Sequence, residues 1–251
     1  MDRGEVNSKK RPTGAVVSDL HLFTNRTTVH EHMPEIGVAA DESEVFIFNG
    51  DIFDFQWSLY DGFRPSVHAA EKWIRQLAQR HPKTRLVFML GNHDSIPEYI
   101  SLLERLSREN PLIQWREQWY RLEDKIFLHG DIYHAEPGQT GIREFRQKCN
   151  AKLRHSRFRH SCYWAFARSG LPAFFLLFVR KKTCARRIWT YLASELGSDL
   201  DKVNHVYFGH VHTTFTNFCY RNLLFHNTGS ATKGARLTVM RFTVGYANQD
   251  K

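Results

Sequence analysis

The sequence predicts an α/β layered protein in which strands alternate with helices and a second sheet packs on the first. Short apolar runs rich in β-branched and aromatic residues, of which 45–48 is the clearest, end in Gly, Asn, Asp or His. Buried strands that run into tight loops have this pattern. Stretches with apolar residues at three- and four-residue spacing lie between the runs, as expected for helices that cover a sheet. Late in the chain, strands follow one another with few helices, which favours the second sheet.

In the first half of the chain, each predicted strand is followed by a loop or a helix. Strands are predicted at 15–17, 45–48 and 85–90, and helices at 66–80 and 96–106. The polar stretch 24–44 predicts a connecting loop or a short helix.

In the second half, residues 120–128 predict a hairpin that turns at Glu123 and Asp124. Residues 135–200 interrupt the strand rhythm with helical spacing, and strands resume at 205–208, 223–226 and 237–244. We expect a single domain over 1–251, with 135–200 as a helical, basic insertion within it.

The composition, 42% hydrophobic and 24% charged, is that of an ordinary folded protein. No run approaches the roughly 18 to 20 apolar residues needed to cross a bilayer, and the N-terminus lacks the apolar core of a secretory signal. The cysteines, at 149, 162, 184 and 219, show no C-x-x-C spacing, which argues against a zinc knuckle and a disulfide framework. We therefore expect a cytoplasmic protein.

The net charge of +9 is concentrated in one segment. Residues 141–190 contain 13 Lys and Arg residues and a single acid, Glu144, whereas the rest of the chain has a slight acidic excess. Such a block attracts phosphate groups, nucleic acid or an anionic membrane surface.

Five predicted strands end in residues that bind metals. The motifs are D-x-H at 19–21, G-D-x-x-D at 50–54, G-N-H-D at 91–94, H-G-D at 129–131 and G-H-x-H at 209–212. Ligands of open α/β sheets bind at the carboxyl ends of strands. Imidazole together with carboxylate suits Mn, Fe or Zn.

In this order the motifs resemble those of the calcineurin-like metallophosphoesterases, from Asp19 to His212. The resemblance implies a sandwich of two mixed sheets flanked by helices, with two divalent metal ions at the strand ends. Manganese is the favoured metal, with iron or zinc as alternatives. A bridging water, acidified to hydroxide, would attack phosphorus in line. Carried over by motif, Asp19, His21 and His212 would bind one metal, Asn92, His129 and His210 the other, and Asp51 both.

His93 has no metal role in this scheme, and we expect it to act as a general acid or as an electrostatic partner of the phosphate. Asp94 is placed beside it as the residue that orients it. Asp54 and Asp131 are expected to hold the ligands in place. For all three aspartates a purely structural role, such as helix capping, is the alternative. His134, His205 and His226 match no motif and are interpreted as structural, and 227–230 as a turn near the site.

The insertion bears on the substrate. A subgroup of the resembled family, the UDP-2,3-diacylglucosamine hydrolases of lipid A synthesis, also carries H-G-D followed by a helical lid. The apolar run 172–179, flanked by basic residues, suits a lipid tail or peripheral contact with the cytoplasmic face of an inner membrane, or forms the lid's own core. Arginines that could grip a diphosphate are Arg143, Arg146, Arg154, Arg157 and Arg159. Typical members of that subgroup carry Arg in place of His93.

Three functions follow from these observations. The first is hydrolysis of a phosphodiester or pyrophosphate bond in a nucleotide-linked lipid such as UDP-2,3-diacylglucosamine. The second is a soluble nucleotide or nucleic-acid phosphodiesterase or phosphatase. The third is a non-catalytic metal-binding scaffold, which the complete set of motif residues disfavours.

Overall fold

The computed structural model describes residues 13–136, 139–150 and 179–245. A first five-stranded sheet has the order β10-β1-β2-β3-β4, with β1 to β4 parallel and β10 antiparallel to β1. Its strands are β1 (Thr13–Val17), β2 (Val45–Asn49), β3 (Arg85–Met89), β4 (Ile113–Arg116) and β10 (Met240–Thr243).

A second five-stranded sheet has the order β5-β6-β7-β9-β8. Its strands are β5 (Trp119–Leu122), β6 (Lys125–Leu128), β7 (His205–Phe208), β8 (Phe215–Tyr220) and β9 (Leu223–Asn227). The three central strands β6, β7 and β9 are parallel, and the edge strands are antiparallel to them. Two mixed sheets flanked by helices confirm the predicted fold class.

The α-helices are α1 (Val29–Asp41), α2 (Phe63–Arg80), α3 (Pro97–Glu109), α4 (Gln139–Asn150) and α5 (Lys181–Leu196). Short 3-10 helices span Asp131–Tyr133 and Gly197–Lys202. The stretch 24–44, expected to be a loop or a short helix, does contain a helix, but at 13 residues α1 is longer than expected. Its buried side is narrow and rests partly on Ala39 and Ala40, whose small side chains give a weak apolar signal.

The core has three layers because successive strand residues face opposite sides of a sheet. On β2, Phe46 and Phe48 pack under the helices, whereas Ile47 faces the second sheet. Between the sheets, the rings of Phe127 and Tyr207 stack at a centroid distance of 5.0 Å. The outer face of the second sheet is covered by α5 and its neighbours. This packing brings the two sets of parallel strands side by side, with the loops that follow them at one end.

The hairpin at 120–128 is confirmed, whereas β4 and β8 were not predicted. The helical periodicity within 135–200 is confirmed for α4 and α5, and residues 172–178 of the apolar run lie outside the described part of the chain. That 1–251 is one domain with an insertion stays a prediction. Among the described residues, no helix is long and apolar enough to cross a bilayer.

Candidate metal centre

The loops that follow the parallel strands are tied together through their backbones. In the first sheet, the amides of Asp19 and His21 donate to the carbonyls of Gly50 and Asp51, at 3.0 Å each. In the second, the amide of Gly209 donates to the carbonyl of His129 at 2.7 Å. The resulting edge brings the motif residues into one buried group.

Five of the seven predicted ligands have a left-handed backbone. The φ angles are 51° at Asp19, 45° at His21, 52° at Asp51, 67° at His210 and 54° at His212. Residues other than glycine are uncommon there, and such conformations cluster at functional sites, where the surrounding structure enforces them. Among the described residues, half of the ten non-glycine residues with a left-handed backbone are therefore predicted ligands.

Two motif glycines leave room for carboxylates. A Cβ on Gly91 would overlap the side chain of Asp51, and a Cβ on Gly209 would overlap that of Asp19. These positions need glycine because the backbone passes directly beside the candidate ligands.

Asp19, His21 and His212 form the first group of donor atoms, all within 4.8 Å of one another. His212 Nε2 lies 3.2 Å from Asp19 Oδ1 and 3.2 Å from His21 Nε2. Two imidazole nitrogens and a carboxylate oxygen converging in this way form a ligand set for a divalent cation.

Asp51, His129 and His210 form a second such group. Asp51 Oδ2 lies 3.3 Å from His129 Nε2 and 4.0 Å from His21 Nε2, between the two groups. Within the described residues, the buried Asn92 Oδ1 has no hydrogen-bond partner, and neither has His129 Nε2. Unsatisfied buried polar atoms are costly, and a cation bound beside them would satisfy both.

The protonation states suit cation binding. Burial lowers the pKa of both His21 and His210 to about 3, which leaves these imidazoles neutral, the form that binds metals. Burial opposes ionisation of Asp51, but His129 and His93 outweigh it and hold the pKa of this carboxyl well below its usual range. Against the effect of burial, Asp51 raises the pKa of His129 to about 10. His129 thus carries the positive charge that Asp51 attracts, and a cation there would replace its proton. The donor atoms therefore fit divalent cations, and Asp51 Oδ2 lies within 4.0 Å of a nitrogen of each group.

His93 lies beside the first group, with its Nδ1 3.0 Å from Asp54 Oδ1. The other oxygen of the buried Asp54 lies 3.3 Å from His21 Nδ1, so one carboxylate contacts both imidazoles. The interpretation that Asp94 orients His93 differs from the structure. Asp94 accepts hydrogen bonds from the amides of Ile52 at 2.9 Å and Gly91 at 2.7 Å. It therefore joins the backbone of its own loop to that of the loop after β2.

Two of the candidate substrate arginines, Arg143 and Arg146, fall in the described part of the chain. Arg143 lies at the surface and pairs with Glu117 at 2.9 Å. Arg146 is buried and forms a bidentate pair with Asp131, at 2.6 and 3.1 Å. Both guanidinium groups therefore have protein partners, and Asp131 serves to hold α4. The remaining candidates, Arg154, Arg157 and Arg159, lie outside the described residues.

Two further residues at the site were not predicted from the sequence. Arg26 Nη2 lies 2.8 Å from His21 Nδ1 and 3.2 Å from Asp54 Oδ2, but nothing in its polar loop distinguishes it. His134, interpreted as structural, has its Nδ1 2.7 Å from His210 Nε2. Its position one turn after Asp131, on the 3-10 helix, is the signal that could have identified it.

The turn at 227–230 holds two of the motif loops in place through hydrogen bonds to their backbone. Asn227 Nδ2 donates to the carbonyl of Gly209 at 2.7 Å, and Ser230 Oγ donates to the carbonyl of Asp19 at 2.9 Å. By contrast, His205 and His226 contact each other on the second sheet, with Nδ1 and Nε2 3.0 Å apart.

Comparison with known proteins gives one family and several similar folds. The family model described as calcineurin-like phosphoesterase matches residues 14–214. No curated protein matches the chain. A dimetal phosphatase from Danio rerio is similar in structure at 10% identity, with a TM-score of 0.50 and coverage of 94% of this chain and 93% of that one.

Two further solved structures are similar. One is a predicted phosphoesterase from Streptococcus pneumoniae TIGR4, with 13% identity, a TM-score of 0.35 and coverage of 93% of this chain and 98% of that one. The other is Vps29 of Chaetomium thermophilum, with 16% identity, a TM-score of 0.37 and coverage of 90% and 73%.

Proposed function

Because the chain belongs to the calcineurin-like phosphoesterase family, we propose that it hydrolyses a phosphodiester or pyrophosphate bond with two divalent metal ions. Asp19, His21 and His212 would hold one ion, Asn92, His129 and His210 the other, and Asp51 both. The observation that carries this proposal is the position of Asp51 Oδ2, 4.0 Å from His21 Nε2 and 3.3 Å from His129 Nε2. We propose manganese as the metal, with iron or zinc as alternatives.

When bound, the cations would supply an acidified water and neutralise charge on the phosphoryl oxygens. His93 stands beside this position, and Asp54 and Asp51 raise its pKa against the effect of burial. A protonated His93 can donate a hydrogen bond to a phosphoryl oxygen or a proton to the leaving oxygen. Asp54, which contacts His93 and His21, keeps both rings in place.

As substrate we propose a nucleotide-linked lipid of the UDP-2,3-diacylglucosamine type, handled at the cytoplasmic face of an anionic membrane. The support is the basic segment 141–190, which contains the apolar run 172–179. His93, where lipid A hydrolases carry Arg, favours the second candidate, a soluble nucleotide or nucleic-acid phosphoesterase.

A hydrolysis screen with added Mn²⁺ tests these candidates by comparing nucleotide-linked lipids in detergent with soluble diesters and with DNA or RNA. Release of a nucleoside monophosphate from the lipid supports the first candidate, and salt-sensitive cleavage of nucleic acid supports the second.

An Asp51→Ala variant tests the shared ligand. It should lose both turnover and bound metal, measured by elemental analysis. Asp199→Ala is the matched control, because Asp199 is a surface acid that pairs with Lys202. Full activity of Asp51→Ala would disprove the shared-carboxylate assignment.

A further inference from the structure

A cleft of 530 Å³ lies between residues 132–136 and one face of α5. The helix contributes Arg186, Arg187, Thr190, Tyr191 and Ser194. These positions follow helical spacing and form one continuous face. The cleft is separate from the two donor groups of the candidate metal centre, and the proposed chemistry does not use it.

His134 connects this cleft to the metal centre. Its side chain lines the cleft, and its Nδ1 lies 2.7 Å from Nε2 of His210. The cleft therefore borders the metal centre at His134.

The polar groups of the cleft favour an anion. The hydroxyls of Thr190 and Ser194 donate to carbonyls of their own helix, at 2.9 and 2.7 Å. The Tyr191 hydroxyl donates to Gln118 Oε1 at 2.8 Å. These hydroxyls therefore have no donor to spare, and the remaining side-chain donors that line the cleft belong to His134, Arg186 and Arg187.

The two arginines differ in how they are held. Arg187 donates to the carbonyl of Tyr133, and its guanidinium lies 5.6 Å from the centroid of that ring. These contacts fix the group and leave other N–H donors of its five available. Arg186 is exposed and forms no ion pair with an acidic residue of the described ranges. Glu136 is the one acid among the described residues that line the cleft, so these residues together carry a net positive charge.

We propose that the cleft formed by residues 132–136 and α5 binds a second phosphate of the substrate through Arg186 and Arg187. The enzyme then prefers compounds with two phosphates over those with one. This inference rests on the proposed function only in that the other phosphate lies at the metal centre. Guanidinium suits phosphate because it offers paired donors in a plane. The apolar wall, which includes Ile132, accommodates the group that joins the phosphates.

A binding experiment on the metal-loaded protein tests the proposal without turnover. Thymidine 5′-monophosphate, thymidine 5′-diphosphate and thymidine 3′,5′-bisphosphate are titrated by calorimetry at about 150 mM salt, where non-specific attraction is screened. We expect at least one doubly phosphorylated ligand to bind about tenfold more tightly than the monophosphate, which corresponds to about 1.4 kcal/mol.

The preference should disappear in Arg186→Gln/Arg187→Gln and fall in Arg186→Gln alone, which leaves the contacts of Arg187 with Tyr133 intact. Arg241→Gln is the control for charge, because Arg241 pairs with Glu42 at the edge of the first sheet. Equal affinity of the wild type for all three ligands would overturn the proposal. A preference that persists in the double variant would do the same.

A second experiment tests whether the phosphate that binds in the cleft is part of the substrate. The kcat/KM for thymidine 5′-(p-nitrophenyl phosphate) is measured with and without a 3′-phosphate, and the ratio should fall about tenfold in the double variant. An unchanged ratio, with arginine-dependent binding, would show that the cleft holds a free anion and would overturn the substrate assignment. If no substrate is turned over, the proposed function fails, whereas the binding preference still decides the role of the cleft.

Discussion

Replacing Arg146 by alanine should strongly destabilise the protein and disturb the metal centre. Arg146 is 4% exposed and donates to both oxygens of Asp131, at 2.6 and 3.1 Å. It also donates to the carbonyls of Glu117 at 2.6 Å and Leu90 at 2.8 Å. One side chain of α4 thus ties together the ends of β3 and β4 and the loop that carries His129.

The expected magnitude follows from what alanine leaves behind. Asp131, itself 2% exposed, would remain charged and buried without its partner, and breaking a buried ion pair from one side costs about 3–5 kcal/mol. With a urea slope of about 3 kcal/mol per molar, the unfolding midpoint should fall by about 1–1.7 M. Adding Asp131→Asn should recover part of the loss, because no charge is then stranded.

Urea unfolding followed by tryptophan fluorescence measures the effect, and Arg143→Ala is the matched control. Arg143 lies one turn earlier on the same helix, and its side chain is 56% exposed where it pairs with Glu117. An exposed pair contributes at most about 1 kcal/mol. If Arg146→Ala lowers the free energy of unfolding by no more than Arg143→Ala does, the buried pair of Arg146 and Asp131 does not stabilise the protein and the reasoning is wrong.

Two further predictions concern histidines. His93→Ala should keep both metals but lower kcat about 100- to 10,000-fold, the usual contribution of a general acid; loss of bound metal, measured by elemental analysis, would make His93 a ligand instead. Burial, aided by His205, lowers the pKa of His226 from 6.5 to about 4. Between these values the unfolded chain binds the extra proton, so stability should fall as the pH drops from 6.5 to 4. In urea titrations across this range, His226→Gln should show a shallower fall than the wild type, and parallel curves would contradict the assignment.

Strand ends and metal-binding motifs were predictable from the sequence because they carry local signals. The run 45–48 combines apolar residues with a following Gly-Asp, and the structure places β2 there with Asp51 at its end. The edge strand β8 was missed because it has no such pattern: of its six residues only Phe215 is buried. Its pairing with β9 depends on a neighbour that a periodicity search does not consider.

The contacts between motifs could not be predicted because they depend on loop conformation. Asp94 directly follows His93 in the sequence, whereas Asp54 belongs to the loop after β2, yet it is Asp54 whose Oδ1 lies 3.0 Å from His93 Nδ1. Arg146 was predicted to contact the substrate because it lies in the basic segment. Its burial against Asp131 depends on the docking of α4, which no residue spacing encodes.

The hydrogen bonds of Arg146 and the strained backbone of the ligand residues both bear on how the metal centre keeps its shape. Left-handed conformations at five ligand positions cost about 1–3 kcal/mol each, so their sum is comparable with the net stability of a domain, about 5–15 kcal/mol. Such a backbone persists only where the surrounding structure enforces it. Here the backbone bonds between 19–21 and 50–51 enforce it, and Arg146 separately holds together the loops that follow β3, β4 and β6. Because Arg146 belongs to α4, the first helix of the basic segment 141–190 also supports the loop that carries His129.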